Sequence, residues 1–260
     1  MELDRDFECL IVDEPEAGIV LCTFNRLASR NALNRQMVDE LHQLCSLLEI
    51  ADDVKALVFT GAGQQAFISG ADIAELRERR AADALASINS ALFGRIERLP
   101  MPTIAAIRGF ALGGGCEFAI ACDLRVCGES ARFGQPEVAL GIMPAAGGTY
   151  RLPRLIGLGR ARELIFTCRV IDAVEAQSIG LVERVVPDAE VIDAAYEWAR
   201  SIAKNGQLAV RLAKAALNNC GHLGLASAIA FESASQAICF EDGDKQARMT
   251  AFLQRKSRRS

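Results

Sequence analysis

Apolar positions along this chain repeat with two different spacings, and the changes between them place its elements. Residues 7–12 and Ile19–Phe24 are apolar and rich in β-formers, with Pro15 and Gly18 between them, which predicts an antiparallel hairpin. Met37, Leu41, Leu44 and Leu48 then recur at helical spacing and predict an amphipathic helix over 34–51. A buried strand is expected at 56–60, followed by a loop through Gly61 and Gly63. Asp72-Ile73-Ala74-Glu75 has the form of a capping box, with Asp72 as N-cap of the next helix. A further helix over 85–99 should stop at Pro100 and Pro102.

Beyond it, Thr103–Ile107 reads as a short strand entering Gly113-Gly114-Gly115, with a helix at 116–121 and a strand at 124–127. The stretch 133–149 holds Gly134, Gly141, Gly147 and Gly148 with Pro136 and Pro144, a loop-rich segment that packed domains keep for a reason. Helices are expected at Leu158–Thr167 and 173–179, and a strand at 181–186. From about residue 188 the pattern is almost wholly helical: 191–204, 208–219, 223–240 and 245–254. The pattern divides the chain into an α/β body, 1–187, and a helical region, 188–260, with no low-complexity linker or solenoid repeat.

Composition narrows the classes. A chain of 260 residues with 51 % apolar content can bury about three quarters of its unfolded surface, so disorder is excluded. No apolar run reaches the ~18 residues of a membrane span, and MELDRDFECL lacks the basic flank and apolar core of a secretory signal. The expectation is a cytoplasmic protein with no membrane partner, the mitochondrial matrix remaining open for a processed eukaryotic chain. The balance of 29 basic against 33 acidic residues shows no basic stripe, so no nucleic-acid partner is expected. The one local excess, Arg255-Lys256-Ser257-Arg258-Arg259, reads as a frayed tail.

Nine cysteines without a C-x-x-C pair suggest buried free thiols in a reducing compartment. His42 and His222 are the only histidines, which disfavours a Ser-His-Asp or Cys-His hydrolase. His42 and Cys45 share a helix face, but with no second ligand pair no metal is expected. The nucleophile-elbow, Walker and complete dinucleotide-binding motifs are absent.

Three segments stand out: Phe67-Ile68-Ser69-Gly70-Ala71-Asp72, Gly113-Gly114-Gly115-Cys116-Glu117 and Phe133-Gly134-Gln135-Pro136-Glu137. The first two put small residues where a helix begins, leaving amides that can converge on one carbonyl oxygen, those of Ala71 and Gly114. A strand–glycine–helix turn is equally a packing device. Glu117 and Glu137 each lie among apolar neighbours, where burial raises a carboxyl pKa toward the range useful for acid–base work. Either glutamate alone is as readily a capping or solvent-facing residue.

Taken together these residues resemble the enoyl-CoA hydratase/isomerase, or crotonase, superfamily over nearly the whole length. The carriers are Phe24-Asn25-Arg26, Asn31-Ala32-Leu33, residues 66–73, residues 107–117, residues 131–137, Pro144-Ala145-Ala146-Gly147-Gly148-Thr149 and Arg151-Leu152. The resemblance implies a crotonase-like α/β spiral of ββα turns, with C-terminal helices building a homotrimer or a homohexamer of two trimers. It implies an acyl-CoA substrate whose thioester oxygen sits between the amides of Ala71 and Gly114. It extends the binding set to Arg30, Ala32, Ser69, Gly70, Asp72, Ile73, Gly113, Pro136 and Ala145.

Both glutamates that mark hydratases in the superfamily are present, as Glu117 and Glu137, so the activity implied is reversible syn addition of water to a 2-trans-enoyl-CoA. Glu117 is assigned chiefly to activating water and Glu137 chiefly to proton exchange at C2; no cofactor or metal is expected beyond the CoA of the substrate. A Δ3,Δ2-enoyl-CoA isomerase, or another acyl-CoA enzyme of the superfamily, is the alternative. A non-catalytic RNA or protein binder is the more distant one, because the helix matching the RNA-binding helix of some relatives has one Arg against Asp39, Glu40 and Glu49. Ala145 and Tyr150 depart from the glycine and glutamine common in relatives, and Met101 stands where lysine is frequent.

Overall fold

The computed structural model describes residues 7–257; the expectation for the start of the chain and for Arg258 and Arg259 lies outside them. Strands β1 (Leu10–Glu16) and β2 (Ile19–Phe24) form the expected hairpin, with Leu10 opposite Phe24. The first strand starts three residues late because the amides of Glu8 and Cys9 donate to the Glu40 carboxylate, both at 2.9 Å. Glu40 is thereby buried on helix α1 (Arg35–Glu49), instead of facing solvent as its charge suggests. The Asn34 side chain caps α1 by accepting from the Met37 amide at 3.0 Å, and Met37, Leu41, Leu44 and Leu48 are its buried face.

The body is a spiral. Strands β3 (Ala56–Gly61), β5 (Thr103–Ile107) and β7 (Leu124–Gly128) lie parallel to β2 in a six-stranded sheet, ordered β1-β2-β3-β5-β7-β10, with β10 at Arg184–Val186. Each of the three is followed by a short strand in a second sheet: β4 (Ala66–Ile68), β6 (Phe110–Leu112) and β8 (Arg132–Gly134), edged by β9 (Ile171–Asp172). After β4 come α2 (Ile73–Glu78), α3 (Ala81–Leu85) and α4 (Ile88–Glu97), and after β6 comes α5 (Gly114–Ala119). After β8 the chain runs through a 3-10 turn, Glu137–Leu140, into α6 (Leu152–Ile156), α7 (Leu158–Thr167) and, past β9, α8 (Ala173–Ser178). The second sheet is absent from the sequence reading because strands of two or three residues carry no period to detect.

Between the layers, Phe118 meets the rings of Phe24, Phe59, Phe67 and Phe93, with centroids at 5.1, 5.0, 6.0 and 5.3 Å. On the other face of the large sheet, α9 (Val191–Ala203) covers Ile19, Val58, Ile104 and Val126 with Val191, Ala195 and Ala199. Helices α10 (Gln207–Asn219), α11 (Leu225–Glu241) and α12 (Gly243–Ser257) follow, and α11 buries none of its residues.

Three local expectations change. Helix 85–99 is two helices, broken at Ser87, whose φ of 53° is left-handed. The last helix continues to Ser257, so Arg255 belongs to it and not to a tail. Asp72 caps α2 as expected, accepting from the Ala74 amide at 3.2 Å, but Glu75 does not close the box. Its carboxylate instead takes the Arg35 amide at 2.8 Å and so joins α2 to the start of α1.

Candidate active site

A cavity of about 950 Å³ opens where the turns β4–α2, β6–α5 and β8–(Glu137–Leu140) come together beneath α2, α3 and α4. All three segments that stood out in the sequence reach it.

Backbone hydrogen bonding decides which amides face inward. Leu33 forms a parallel bridge with Ala71, in which the Leu33 amide donates to Gly70 O and the Asp72 amide to Leu33 O, both at 2.8 Å. A parallel bridge uses the residues flanking Ala71, so the N–H of Ala71 itself points the other way, into the cavity. Gly114 is the first residue of α5, and its N–H has no intrahelical acceptor. The two amides are close: a Cβ added to Gly114 would stand 3.7 Å from Ala71 N and 3.5 Å from Leu33 Cδ1. Gly115 has a different task. A Cβ there would collide with the Ile68 carbonyl, so glycine is what lets α5 lie directly on β4.

Glu117, one residue before Phe118 on α5, is only 3 % exposed. The aromatic cluster holds Phe118 in the core, and the roughly 100° turn per helical residue swings Glu117 toward the cavity. Its Oε1 accepts the amides of Ala146 and Gly148, both at 2.8 Å. Burial raises its pKa, and those amides, with the Arg151 charge, pull in the opposite direction. Glu137, at the head of the 3-10 turn, is pushed up to about 7, first by burial and then by the charge of Glu117. Its carboxylate packs against Gly113, where a Cβ would stand 2.8 Å from Glu137 Oε1. Two carboxyl groups that repel and share one cavity hold fewer than two charges near neutral pH.

Of the remaining candidates, Ala32, Ser69, Gly70, Asp72, Ile73, Pro136 and Ala145 line the cavity. Asp72 also pairs with Arg26 at 3.2 Å, and Arg26 Nη1 donates to Ala32 O at 2.5 Å, so the pair braces the floor near Ala71. Arg30 is exposed and lies outside the lining, its backbone left-handed at φ 51°. Met101 is buried, and its carbonyl accepts from Lys214 at 2.8 Å.

Two buried residues near the carboxylates carried no assigned role in the sequence. Gln135, in the amide orientation that satisfies its surroundings, donates to Glu137 Oε2 and Oε1 at 3.1 and 3.2 Å. Arg151 is 5 % exposed, behind the loop that holds Glu117. The available signal was position alone: Gln135 lies inside the glycine- and proline-rich segment 133–149, and Arg151 two residues beyond it. Among the described residues there is no cluster of metal-ligating side chains, and no helix is long and apolar enough to cross a membrane.

Comparison with known proteins places the chain in a family. The family described as enoyl-CoA hydratase/isomerase matches residues 14–259. A short-chain-enoyl-CoA hydratase of Clostridium acetobutylicum is 42 % identical over 248 residues, 95 % of either chain. A crotonyl-CoA hydratase of Syntrophomonas wolfei is 41 % identical over 248 residues, again 95 % of either chain. The crystal structure of enoyl-CoA hydratase from Bacillus anthracis superposes with a TM-score of 0.92 at 39 % identity, covering 95 % of this chain and 97 % of that one.

Proposed function

The chain belongs to the enoyl-CoA hydratase/isomerase family, and from that membership and the site we propose that it is an enoyl-CoA hydratase acting on short-chain 2-trans-enoyl-CoA. The observation that carries the reading is the meeting of two unpartnered amides, Ala71 and Gly114, with two mutually repelling carboxyl groups, Glu117 and Glu137, in one cavity.

The amides take the thioester oxygen. As water attacks C3, charge accumulates on that oxygen, and removing one such donor typically reduces the rate by about 10²–10³. Glu117, fixed through one oxygen by Ala146 and Gly148, keeps its second oxygen for the attacking water and removes its proton. Glu137 supplies the proton to C2. The competent enzyme therefore carries one proton on the pair, and dehydration uses the same count with the proton on the other carboxyl group. This charge and proton inventory is complete without a metal or redox cofactor; CoA enters and leaves as part of the substrate.

A short acyl chain is supported by the two curated relatives and by the part of the cavity wall that residues 76–89 form. There Arg79, Arg80, Asp83 and Asn89 interrupt Leu76, Ala84 and Ile88, and a long apolar tail would desolvate those polar groups without pairing them. We further infer a homotrimer or a dimer of trimers, with no membrane or nucleic-acid partner. Its support is α11, where Ile229, Ile238 and Phe240 stand 54, 52 and 52 % exposed in the single chain. The test is a spectrophotometric screen of enoyl-CoAs from four to sixteen carbons, following loss of the conjugated thioester band. Hydration should be fastest on crotonyl-CoA and fall with length; no hydration at any length would overturn the reading.

A further inference from the structure

We propose that Arg151 is a positioning residue for Glu117, and that its ion pair with Glu97 couples the helix lining the acyl wall to the carboxylate that activates water. The proposal rests on the hydratase reading, since it concerns Glu117 during that reaction.

A guanidinium this deeply buried must be paired and hydrogen-bonded on every side. Glu97, at the end of α4, takes two of its edges: Nε to Oε1 at 3.2 Å and Nη2 to Oε2 at 2.7 Å. The remaining nitrogen, Nη1, donates to the Ala146 carbonyl at 3.0 Å. The guanidinium also packs on Gly147, where a Cβ would stand 2.1 Å from its Nη1 and where φ is 126°, a conformation side chains rarely adopt. Ala146 and Gly148, on either side of that glycine, supply the two amides that grip Glu117 Oε1. Arg151 thus fixes the backbone that fixes the carboxylate, and it lies outside the residues that line the cavity.

Two further contacts complete the brace. The Tyr150 ring lies 4.8 Å from the guanidinium carbon on its outer side. Asn218 of α10 donates to the Glu97 carbonyl at 2.7 Å, holding the end of α4 in place. Helix α4 contributes Ile88, Asn89 and Ser90 to the cavity lining. The charged groups that face Glu117 are therefore Arg151 behind it and Glu137 across the cavity, and those that face Arg151 are Glu97 and Glu117.

This arrangement makes two single substitutions act in opposite directions. Arg151→Met removes a positive charge beside Glu117. The acid limb of kcat/KM for crotonyl-CoA, where the carboxyl pair passes from two protons to one, then moves up by about half a pH unit or more. Glu97→Gln leaves the guanidinium without its counter-charge, and the same limb moves down. Arg151→Lys keeps the charge but loses the forked contact, so the limb stays near wild type while kcat falls. In both Arg151 variants kcat should fall by about tenfold or more with KM changed less than about threefold.

A packing role alone would lower melting temperature and leave all the limbs in place. Limbs that do not move, or that move together in Arg151→Met and Glu97→Gln, overturn the proposal. If Arg151→Met does not fold, Glu97→Gln decides it, a limb that moves down supporting the proposal and one that stays overturning it, and Arg151→Lys should keep the wild-type limb at reduced kcat. Absence of hydration in the wild-type enzyme is a separate result that removes the hydratase reading and this proposal with it.

Discussion

Glu117 and Phe118 are consecutive on a six-residue helix, yet one is ringed by phenylalanines and the other reaches the cavity. The core contact of Phe118 therefore aims the Glu117 carboxylate into the cavity. Phe118→Ala should destabilise the protein by about 3–5 kcal/mol, the usual range for a buried phenylalanine. Phe118→Leu should fold, with a lower melting temperature and a reduced kcat at nearly unchanged KM. A Phe118→Leu enzyme with full kcat would mean that the aromatic cluster does not set Glu117.

Glycines 114 and 115 are adjacent but should respond to alanine in different ways. Gly114→Ala meets nothing closer than 3.5 Å, so it should fold; its methyl, 3.7 Å from Ala71 N, would occupy the place proposed for the thioester oxygen. Hydration should fall by about 10²-fold or more at near-normal melting temperature. Gly115→Ala drives a methyl into the Ile68 carbonyl and should unfold or strongly destabilise the chain. Wild-type rates in Gly114→Ala would remove the oxygen-binding role from these amides.

Glu117→Gln and Glu137→Gln should each lose about 10²–10⁴ in hydration rate, with most CoA affinity kept. The double variant should lose far less than the product, because both groups serve one water and one transition state. An isomerase would lose 3-enoyl-CoA conversion with Glu137→Gln and largely keep it with Glu117→Gln. Assays of all three variants on 2-enoyl- and 3-enoyl-CoA separate these outcomes.

The proton count predicts a bell-shaped pH profile. Hydration adds a neutral molecule, so kcat/KM must follow the same bell in both directions, and its basic limb should lie near 7, where the pair loses its last proton. Stability follows the same titration. The folded-state pKa of Glu137 is raised from 4.5 to about 7, so its contribution is fully present below 4.5 and lost as pH rises through 7. Glu137→Gln should therefore be more stable than wild type at pH 8, by about 1–2 kcal/mol after allowing for solvent on its open side, and equal to it near pH 4. Melting curves at the two pH values check this; equal curves at pH 8 would show that Glu137 ionises freely.

The exposed apolar residues of α11 predict assembly. Light scattering at micromolar concentration should give three or six subunits, and a stable monomer would overturn the interface assignment. Ile229→Asp, placed on a helix with no buried residue in the single chain, should dissociate the oligomer without unfolding the body.

Period and punctuation in the sequence were enough to locate the hairpin, α1, strands β3, β5 and β7 of the large sheet and α7 to α10, because each is long enough to display an apolar run or face. Glu117 and Glu137 were legible for a related reason: a carboxylate beside glycine or proline amid apolar residues breaks the local pattern. The second sheet was not legible, since three-residue strands such as β6 are held by partners far along the chain and by the close backbone approach at Gly115. Nor were the partners of the site. The Ala71 amide faces the cavity only because Leu33 claims its neighbours, and Arg151 matters only because Glu97 arrives 54 positions earlier in sequence and 2.7 Å away in space. Local sequence determines which residues can form a helix, a turn or an acid–base pair, since those depend on propensity and nearest neighbours. Which amide stays free, which pKa rises and which charge faces which are settled by burial and distance, and these exist only once remote segments have packed together.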